Sequence, residues 1–477
     1  MTQANHGVDV AVRSRRQGTG VMAAGVLAAT NFLVVFDGTV VTVALPAIET
    51  GLGLRNLDAQ WIITVYTVAL GGCLLLGGRS GDRFGRRRML ATGLGLLACG
   101  LLVSGAASNL AWMLTGRAVQ GLGAALAVPN AFALISSVPD RSARNRLFAV
   151  SGVAGSSGSA CGAIVGGLVE QTLGWRFVFL LSACVALCAA AAVPWSVADS
   201  KPEPKRSHQM DVPAAALLAT AFMLLVFAVT NVERSSLVAP STLLALAGAG
   251  LVFTSFVFRE RRARIPLVPL AVLRVRTLRI AMLVMPAQVF AYNGTVYVAL
   301  LYFQKVRHYS TLEAGAAFVP LGLAAFAGSP VASRLLSGSR SRWSVSAGAL
   351  TACALGMTSI ALAAHSGPYA FTLLPAQLLV GFGIAIAAVT LNAAAGEHVH
   401  DREKSTAYGL FETSTHVAGA MSVAMLATVI AAFGGAEQSA VLGYQTAFAI
   451  IAAAAAFGTI LCLWLGRNSV QIPSRSH

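Results

Sequence analysis

Charge is what this chain has least of. Only 11% of its 477 residues are Asp, Glu, Lys or Arg, against about 25% in a soluble globular protein, which excludes an ordinary water-exposed surface. Acid is scarcer than base: 18 Asp and Glu stand against 34 Lys and Arg, a net charge of +16. In a soluble chain that excess would point to nucleic acid; its distribution, given below, supplies another cause. The seven cysteines (Cys73, Cys99, Cys161, Cys184, Cys188, Cys353 and Cys462) are scattered through apolar runs. They read as small packing residues, with neither a disulfide framework nor a metal cluster. No G-x-x-x-x-G-K-[ST] phosphate loop occurs, so ATP-driven transport has no support. H-E-x-x-H and G-x-S-x-G are missing too, and the serines have no identifiable base. The chain therefore reads as a protein without a catalytic centre, cofactor or metal.

What is abundant is apolar sequence: 56% of the residues are hydrophobic. A spanning helix needs about 20 mostly apolar residues. Such segments begin near Val21, Ala59, Met89, Ala111, Leu147, Trp175, Val212, Ser241, Leu278, Leu312, Val345, Tyr369, Thr406 and Tyr444. The first has spanning length and is followed by others, so it is no cleavable signal. Fourteen predicted spans put both termini on one side. With that side cytoplasmic, inner loops and tails hold 28 of the basic residues, and outer loops only Arg55, Arg234, Lys305 and Arg307. Arg117 and Arg176 fall within helices. This is the positive-inside pattern, so the basic excess reports orientation. Its expected partner is the anionic headgroups of the inner leaflet, not nucleic acid. Thirty arginines against four lysines, with abundant alanine, suit a bacterial genome and hence the bacterial inner membrane.

The longest inner connections, Ser196 to Asp211 and Arg259 to Thr277, divide the chain. The expected organisation is a cytoplasmic tail over 1–19, six helices over 20–195, a linker with two extra helices over 196–277, six helices over 278–466 and a tail over 467–477. No loop has room for a soluble catalytic domain.

The loop between the second and third spans reads Gly78-Arg-Ser-Gly-Asp82-Arg83-Phe-Gly85-Arg86-Arg87-Arg88. Glycines permit a tight reversal, and the arginines mark the inner face. The ordered spacing G-x-x-x-D-R-x-G-R-R resembles the corresponding loop of the major facilitator superfamily of secondary transporters. In the first span, Phe36-Asp37 lies in an otherwise apolar stretch; a central Asp costs about 2.5–3.5 kcal/mol to insert, so it must face a cavity, a partner or a proton. That segment resembles the first helix of the fourteen-helix drug:proton antiporters of the EmrB/QacA type. The fourth span reads Arg117-Ala-Val-Gln120-Gly121. Arginine does not readily deprotonate and needs a carboxylate, carbonyls or water; R-x-x-Q-G matches a superfamily pattern in which the arginine is implicated in proton coupling. A purely structural ion pair remains the alternative.

In the fifth span Gly158, Gly162 and Gly166 recur every fourth residue and Gly167 follows, a small-residue row suited to a close, sliding helix interface. It resembles the antiporter motif except that Ala163 stands at the proline position. The thirteenth span carries Tyr408, Glu412 and His416. Glu412 and His416, four apart, share one face and make a candidate proton or substrate locus, with a static packing hydrogen bond as the competing reading. Phe36, Trp61, Tyr66, Phe290, Tyr292 and Tyr297 are candidates for an adaptable cavity wall, beside Gln120.

The resemblance implies an all-α membrane protein with the major facilitator fold and fourteen transmembrane helices, two six-helix bundles plus two inserted ones. It implies a monomeric secondary transporter that moves a small amphipathic drug or natural product outward at the expense of the proton gradient. Asp37, Arg117, Glu412 and His416 would serve proton coupling or substrate, and Gly78, Asp82, Arg83, Gly85, Arg86 and Arg87 the gate. An uptake permease for a small metabolite and a non-transporting membrane sensor remain open alternatives.

Overall fold

The computed structural model describes residues 2–54, 56–197, 212–234, 239–263, 270–309, 311–338, 341–363, 369–433 and 437–467. Among them the chain is helical throughout. The order is α1 (Thr2–Leu52), α2 (Asn56–Phe84), α3 (Arg86–Gly105), α4 (Leu110–Ser136), α5 (Arg141–Leu173), α6 (Trp175–Ser196), α7 (Val212–Arg234) and α8 (Pro240–Arg262). After the short α9 (Leu270–Arg274) come α10 (Arg276–Lys305), the short α11 (Thr311–Ala317), α12 (Val319–Ser337), α13 (Arg342–Ala363), α14 (Tyr369–Ala395), α15 (Lys404–Ala432) and α16 (Glu437–Arg467). Twelve helices among the described residues are long and apolar enough to cross a membrane. Helices α5 and α7 are outside that set; α7 offers the shorter apolar stretch Ala216–Ala228. Helix α1 starts at Thr2, so the chain ahead of the span expected from Val21 continues the same helix. Residues 468–477, most of the expected tail, lie outside the described residues, as does 198–211 of the expected linker.

Local chemistry sets the helix ends. The Asn109 side chain accepts the Trp112 amide at 3.1 Å and starts α4. Asp140 accepts the Ala143 amide at 2.7 Å and starts α5, as N-cap residues do. Gly85 sits between α2 and α3 with φ of 97°, a conformation that side chains other than glycine rarely adopt.

Two sets of helices pack mainly among themselves. In the first, α3 lies on α4 and α6, α2 on α4, and α1 on α5 and α6; in the second, α13 lies on α14 and α16, α12 on α14, and α10 on α14, α15 and α16. The sets meet where α2 and α4 touch α15 and where α5 touches α12 and α14. Lipid provides no hydrophobic drive for such contacts, so they depend on close fit. Helices α7 and α8 form a pair whose inner member rests on both α2 and α15. Phe222 and Val226 of α7 share a small apolar cluster with Val68 of α2, and Val417 of α15 packs on it.

Candidate polar sites within the helices

Asp37 and Arg117 meet. The two are 2% and 1% exposed, with Arg117 Nη1 2.6 Å from Asp37 Oδ2. The same Nη1 donates to Gln120 Oε1 at 2.6 Å, and Nε donates to the Ile62 carbonyl at 3.0 Å. Gln120 Nε2 in turn donates to the Gly100 carbonyl at 3.1 Å and Ser104 Oγ at 2.6 Å. Four helices thus share one buried hydrogen-bonded network. The Tyr66 ring covers the guanidinium, 4.3 Å from Cζ to centroid, a cation–π contact within the usual range. Two polar atoms of this cluster have no hydrogen-bond partner among the described residues: Asp37 Oδ1 and the Tyr66 hydroxyl. Leaving a buried acceptor unpaired costs about 1–3 kcal/mol. The cluster therefore combines a neutralised charge pair with a carboxylate oxygen that has nothing to accept from.

Gly121 makes this approach possible. A β-carbon there would lie 2.6 Å from the Tyr66 carbonyl oxygen and 2.9 Å from the Leu70 nitrogen, backbone atoms that cannot swing aside. Gly121→Ala should push α2 off α4, lift the Tyr66 ring from Arg117 and destabilise the protein by about 1–3 kcal/mol, as overpacking does. Thermal unfolding of the purified variant checks this; an unchanged melting temperature would show that α2 yields without cost.

Asp82 lies at the arginine-rich end of α2 and reaches across to the other helix set. Its Oδ1 accepts the Ser405 amide at 3.2 Å; its Oδ2 accepts the Thr406 amide and Thr406 Oγ1, each at 2.8 Å. Arg86 Nη2 stands 3.1 Å from Oδ1 and Arg86 Nη1 donates to Ser137 Oγ at 2.6 Å. A carboxylate here satisfies orphan N–H groups in the first turn of α15 and meets the positive end of its dipole. The α5 start needs no such help, being capped by its own Asp140. At α15 the nearby Asp401 is engaged instead by Lys404, at 2.7 Å.

Other bonds join the two sets at the same end. Lys404 Nζ donates to the Ser136 carbonyl at 2.9 Å, Arg141 Nη2 to the Leu336 carbonyl at 3.3 Å, and Ser136 Oγ to the Gly396 carbonyl at 3.3 Å. Tyr408 stacks on Phe132 at 5.6 Å. The arginine-rich end is therefore closed. Gly78 packs against the Ser405 carbonyl, whereas Arg83 projects outward beside the Phe84 ring and Arg87 binds the Pro194 carbonyl.

Glu412 and His416 lie on α15 between these two levels. Glu412 is 8% exposed and His416 partly buried. Among the described residues no hydrogen bond or ion pair joins them, so the competing reading of a packing bond has no bond between the two behind it: a shared helix face brings two side chains alongside without imposing one. The glycine row lies at a close helix interface within the first set. A β-carbon on Gly158 would meet the Phe32 carbonyl at 2.7 Å, and one on Gly162 would meet Thr39 Cβ at 2.9 Å, so the row clasps α1 within the first set. An α5 glycine that does face the second set is Gly152, close to Val389 and Ser329. Gly166 and Gly167 belong to α5, but their surroundings, like those of Ala163, lie outside the described residues.

Of the aromatic candidates, Tyr66 joins the Arg117 cluster, Phe36 is buried and stacked on Phe32, and Trp61 stacks on Phe227 of α7. Phe290, Tyr292 and Tyr297 pack on the core of the second set. Ser104 and the Arg342–Glu397 pair at 2.7 Å had escaped sequence reading. Arg342 opens α13 as Arg86 opens α3, and the Gly338-x-x-x-Arg342 stretch was the available signal.

The Major Facilitator Superfamily model matches residues 27–423. The chain belongs to that superfamily. It is a multi-pass membrane transporter rather than an enzyme, and its relatives are drug and antibiotic resistance and export proteins. It is similar to a puromycin resistance protein of Streptomyces alboniger, 35% identical over 408 residues, which covers 85% of this chain and 80% of that protein. It is similar also to the tetracenomycin C resistance and export protein of Streptomyces glaucescens, 31% identical over 84% of this chain and 74% of that one. The solved structure of the human organic anion transporter MFSD10 matches with a TM-score of 0.66 over 94% of this chain and 99% of that chain, at 17% identity; this likeness concerns the fold.

Proposed function

We propose that this superfamily member is a proton-coupled exporter of a small amphipathic antibiotic or natural product, of the fourteen-helix drug:proton antiporter (EmrB/QacA) type. In this reading α5 and α7 span the bilayer with the twelve more apolar helices. The bundles over 20–195 and 278–466 rock about a midplane site, α7 and α8 are the inserted pair, and both termini are cytoplasmic in a bacterial inner membrane. The arginine-rich end is then the cytoplasmic gate, seated among anionic lipids. The protein works as a monomer with the proton gradient as its energy source.

One observation carries the proton reading: Asp37 Oδ1 is buried beside the Arg117 ion pair with nothing among the described residues to accept from. A proton on that oxygen cancels the charge that holds Arg117 Nη1, leaving the guanidinium to Gln120 and the Ile62 carbonyl. Protonation thus rearranges a network shared by α1, α2, α3 and α4 without unfolding it. Export rather than uptake is supported by what the relatives are named for.

Inside-out vesicles with an acid interior should accumulate puromycin through the wild type. Asp37→Asn should cut this pH-driven accumulation at least tenfold while exchange without a gradient persists, since an Asn oxygen still accepts from Arg117. Wild-type accumulation in the variant would remove Asp37 from coupling, and loss of puromycin from preloaded vesicles under the same gradient would favour uptake.

A further inference from the structure

The two helix sets correspond element by element, α1 to α10, α2 to α12, α3 to α13, α4 to α14 and α5 to α15, with the same neighbours in contact. Close glycine contacts fix the register. A β-carbon on Gly121 of α4 would lie 2.6 Å from the Tyr66 carbonyl of α2, and one on Gly381 of α14 would meet the Leu321 carbonyl of α12. On Gly100 of α3 it would lie 2.6 Å from the Gly116 carbonyl, and on Gly356 of α13 2.8 Å from the Ala376 carbonyl. On Gly155 of α5 it would lie 2.9 Å from Asn31 Nδ2, and on Gly419 of α15 2.6 Å from Asn293 Nδ2. Counted from these contacts, the charged cluster has an uncharged counterpart. Ala299 stands at the place of Asp37, Leu321 at that of Tyr66, Ile360 at that of Ser104 and Gln377 at that of Arg117.

Those four residues line one cavity. Thr295 of α10 and the Phe448 ring of α16 help to enclose it, and its volume of about 10 Å³ has room for one water. A methyl group at 299 and an amide at 377, in place of a carboxylate and a guanidinium, leave that space. They also leave an amide unserved. Gln377 is 2% exposed, and among the described residues neither its Oε1 nor its Nε2 has a hydrogen-bond partner of acceptable geometry. The Tyr369 hydroxyl adjoins this amide but gives its hydrogen to the Ala317 carbonyl at 2.8 Å. Thr295 Oγ1 gives its own to the Ala291 carbonyl. Both therefore present lone pairs, and what Oε1 needs is a donor.

We propose that this cavity binds a single water, held by Gln377 and Thr295, at the place in the second set where the first set holds its ion pair. The water donates one hydrogen to Gln377 Oε1 and the other to Thr295 Oγ1, and accepts from Gln377 Nε2. Three hydrogen bonds are the usual complement of a buried water. The amide is then satisfied without any charge, whereas the first set meets the same position with Asp37 and Arg117. The inference stands apart from the export reading, because it concerns the hydration of the folded protein and needs no cargo, gradient or direction of movement.

Hydroxyl radicals made by pulsed radiolysis of water test this on the purified full-length protein, with the oxidised side chains located by mass spectrometry. Such radicals react where they form, so a buried side chain is oxidised when a bound water touches it. In the wild type, Phe303, Leu373 and Phe448, which line the cavity, should be oxidised severalfold faster than Phe179 and Leu94 of the first set, which are as deeply buried. Gln377→Leu removes both amide atoms and should lower the rate at all three to that background without lowering the melting temperature. Thr295→Val, which keeps the shape and deletes one of the three bonds, should fall between. Wild-type rates at background overturn the inference. So do rates unchanged by Gln377→Leu, which would trace the oxidation to transient opening of the helices. The wild-type comparison needs no variant and stands even where Gln377→Leu does not fold.

Discussion

Arg117→Met is expected to destabilise the folded protein strongly, and adding Asp37→Asn to the same chain is expected to restore most of the lost stability. The argument is electrostatic. With Arg117 gone, the Asp37 carboxylate, 2% exposed, loses the cation paired with it, while among the described residues its Oδ1 already lacks a partner. Removing one member of a buried ion pair costs about 3–5 kcal/mol, a large share of a stability of about 5–15 kcal/mol. Gln120 Oε1 and the Ile62 carbonyl also lose a donor. Neutralising both partners removes the buried charge altogether, and such replacements are often close to neutral in stability. The readout is thermal unfolding of purified protein. The single variant should melt lower by an amount on the order of 10 °C, and the double variant should recover most of that while remaining inactive in pH-driven transport. Additive losses in the double variant would mean that the two residues do not act as a pair.

The same pair shows how far the sequence could be read. An arginine inside an apolar span demands a carboxylate, and Asp37 was a visible candidate, but their contact spans 80 residues and depends on how α1 docks against α4. Helical register is local and can be read from spacing; docking is not. Periodicity accordingly picked out the Gly158–Gly162 face and left its partner open, and α1 proved to be that partner. The face shared by Glu412 and His416 was legible, but not the lack of a bond between them. The Gly78–Arg88 loop was legible as a turn and as an orientation mark. That Asp82 would cap a helix 323 residues away was not, because a helix start at Lys404 whose own acid is engaged elsewhere becomes visible only in three dimensions.

That cap gives the second large effect. Asp82→Ala should loosen the closed end by deleting three hydrogen bonds to the first turn of α15 and the Arg86 ion pair. Hydrogen bonds to a charged group contribute about 1.5–3 kcal/mol each, and 1.4 kcal/mol is tenfold in an equilibrium. A net loss of even 3 kcal/mol, after solvation of the freed amides, would shift the open-to-closed ratio roughly a hundredfold. Ser405 is the natural reporter. It is fully buried, and its hydroxyl has no partner among the described residues, so a thiol there sacrifices no hydrogen bond to them. In a background lacking the seven native cysteines, Ser405→Cys should react slowly with a membrane-impermeant maleimide from the arginine-rich side. Adding Asp82→Ala should raise the rate by one to two orders of magnitude. Asp82→Asn should fall between, since it retains an acceptor but not the negative charge that favours a helix N-terminus. Unchanged labelling with Asp82→Ala would transfer the closure to Lys404, Arg141 and the Phe132–Tyr408 stack. A graded response would make Asp82 the residue on which opening depends, because of these bonds it alone places a negative charge on the start of α15.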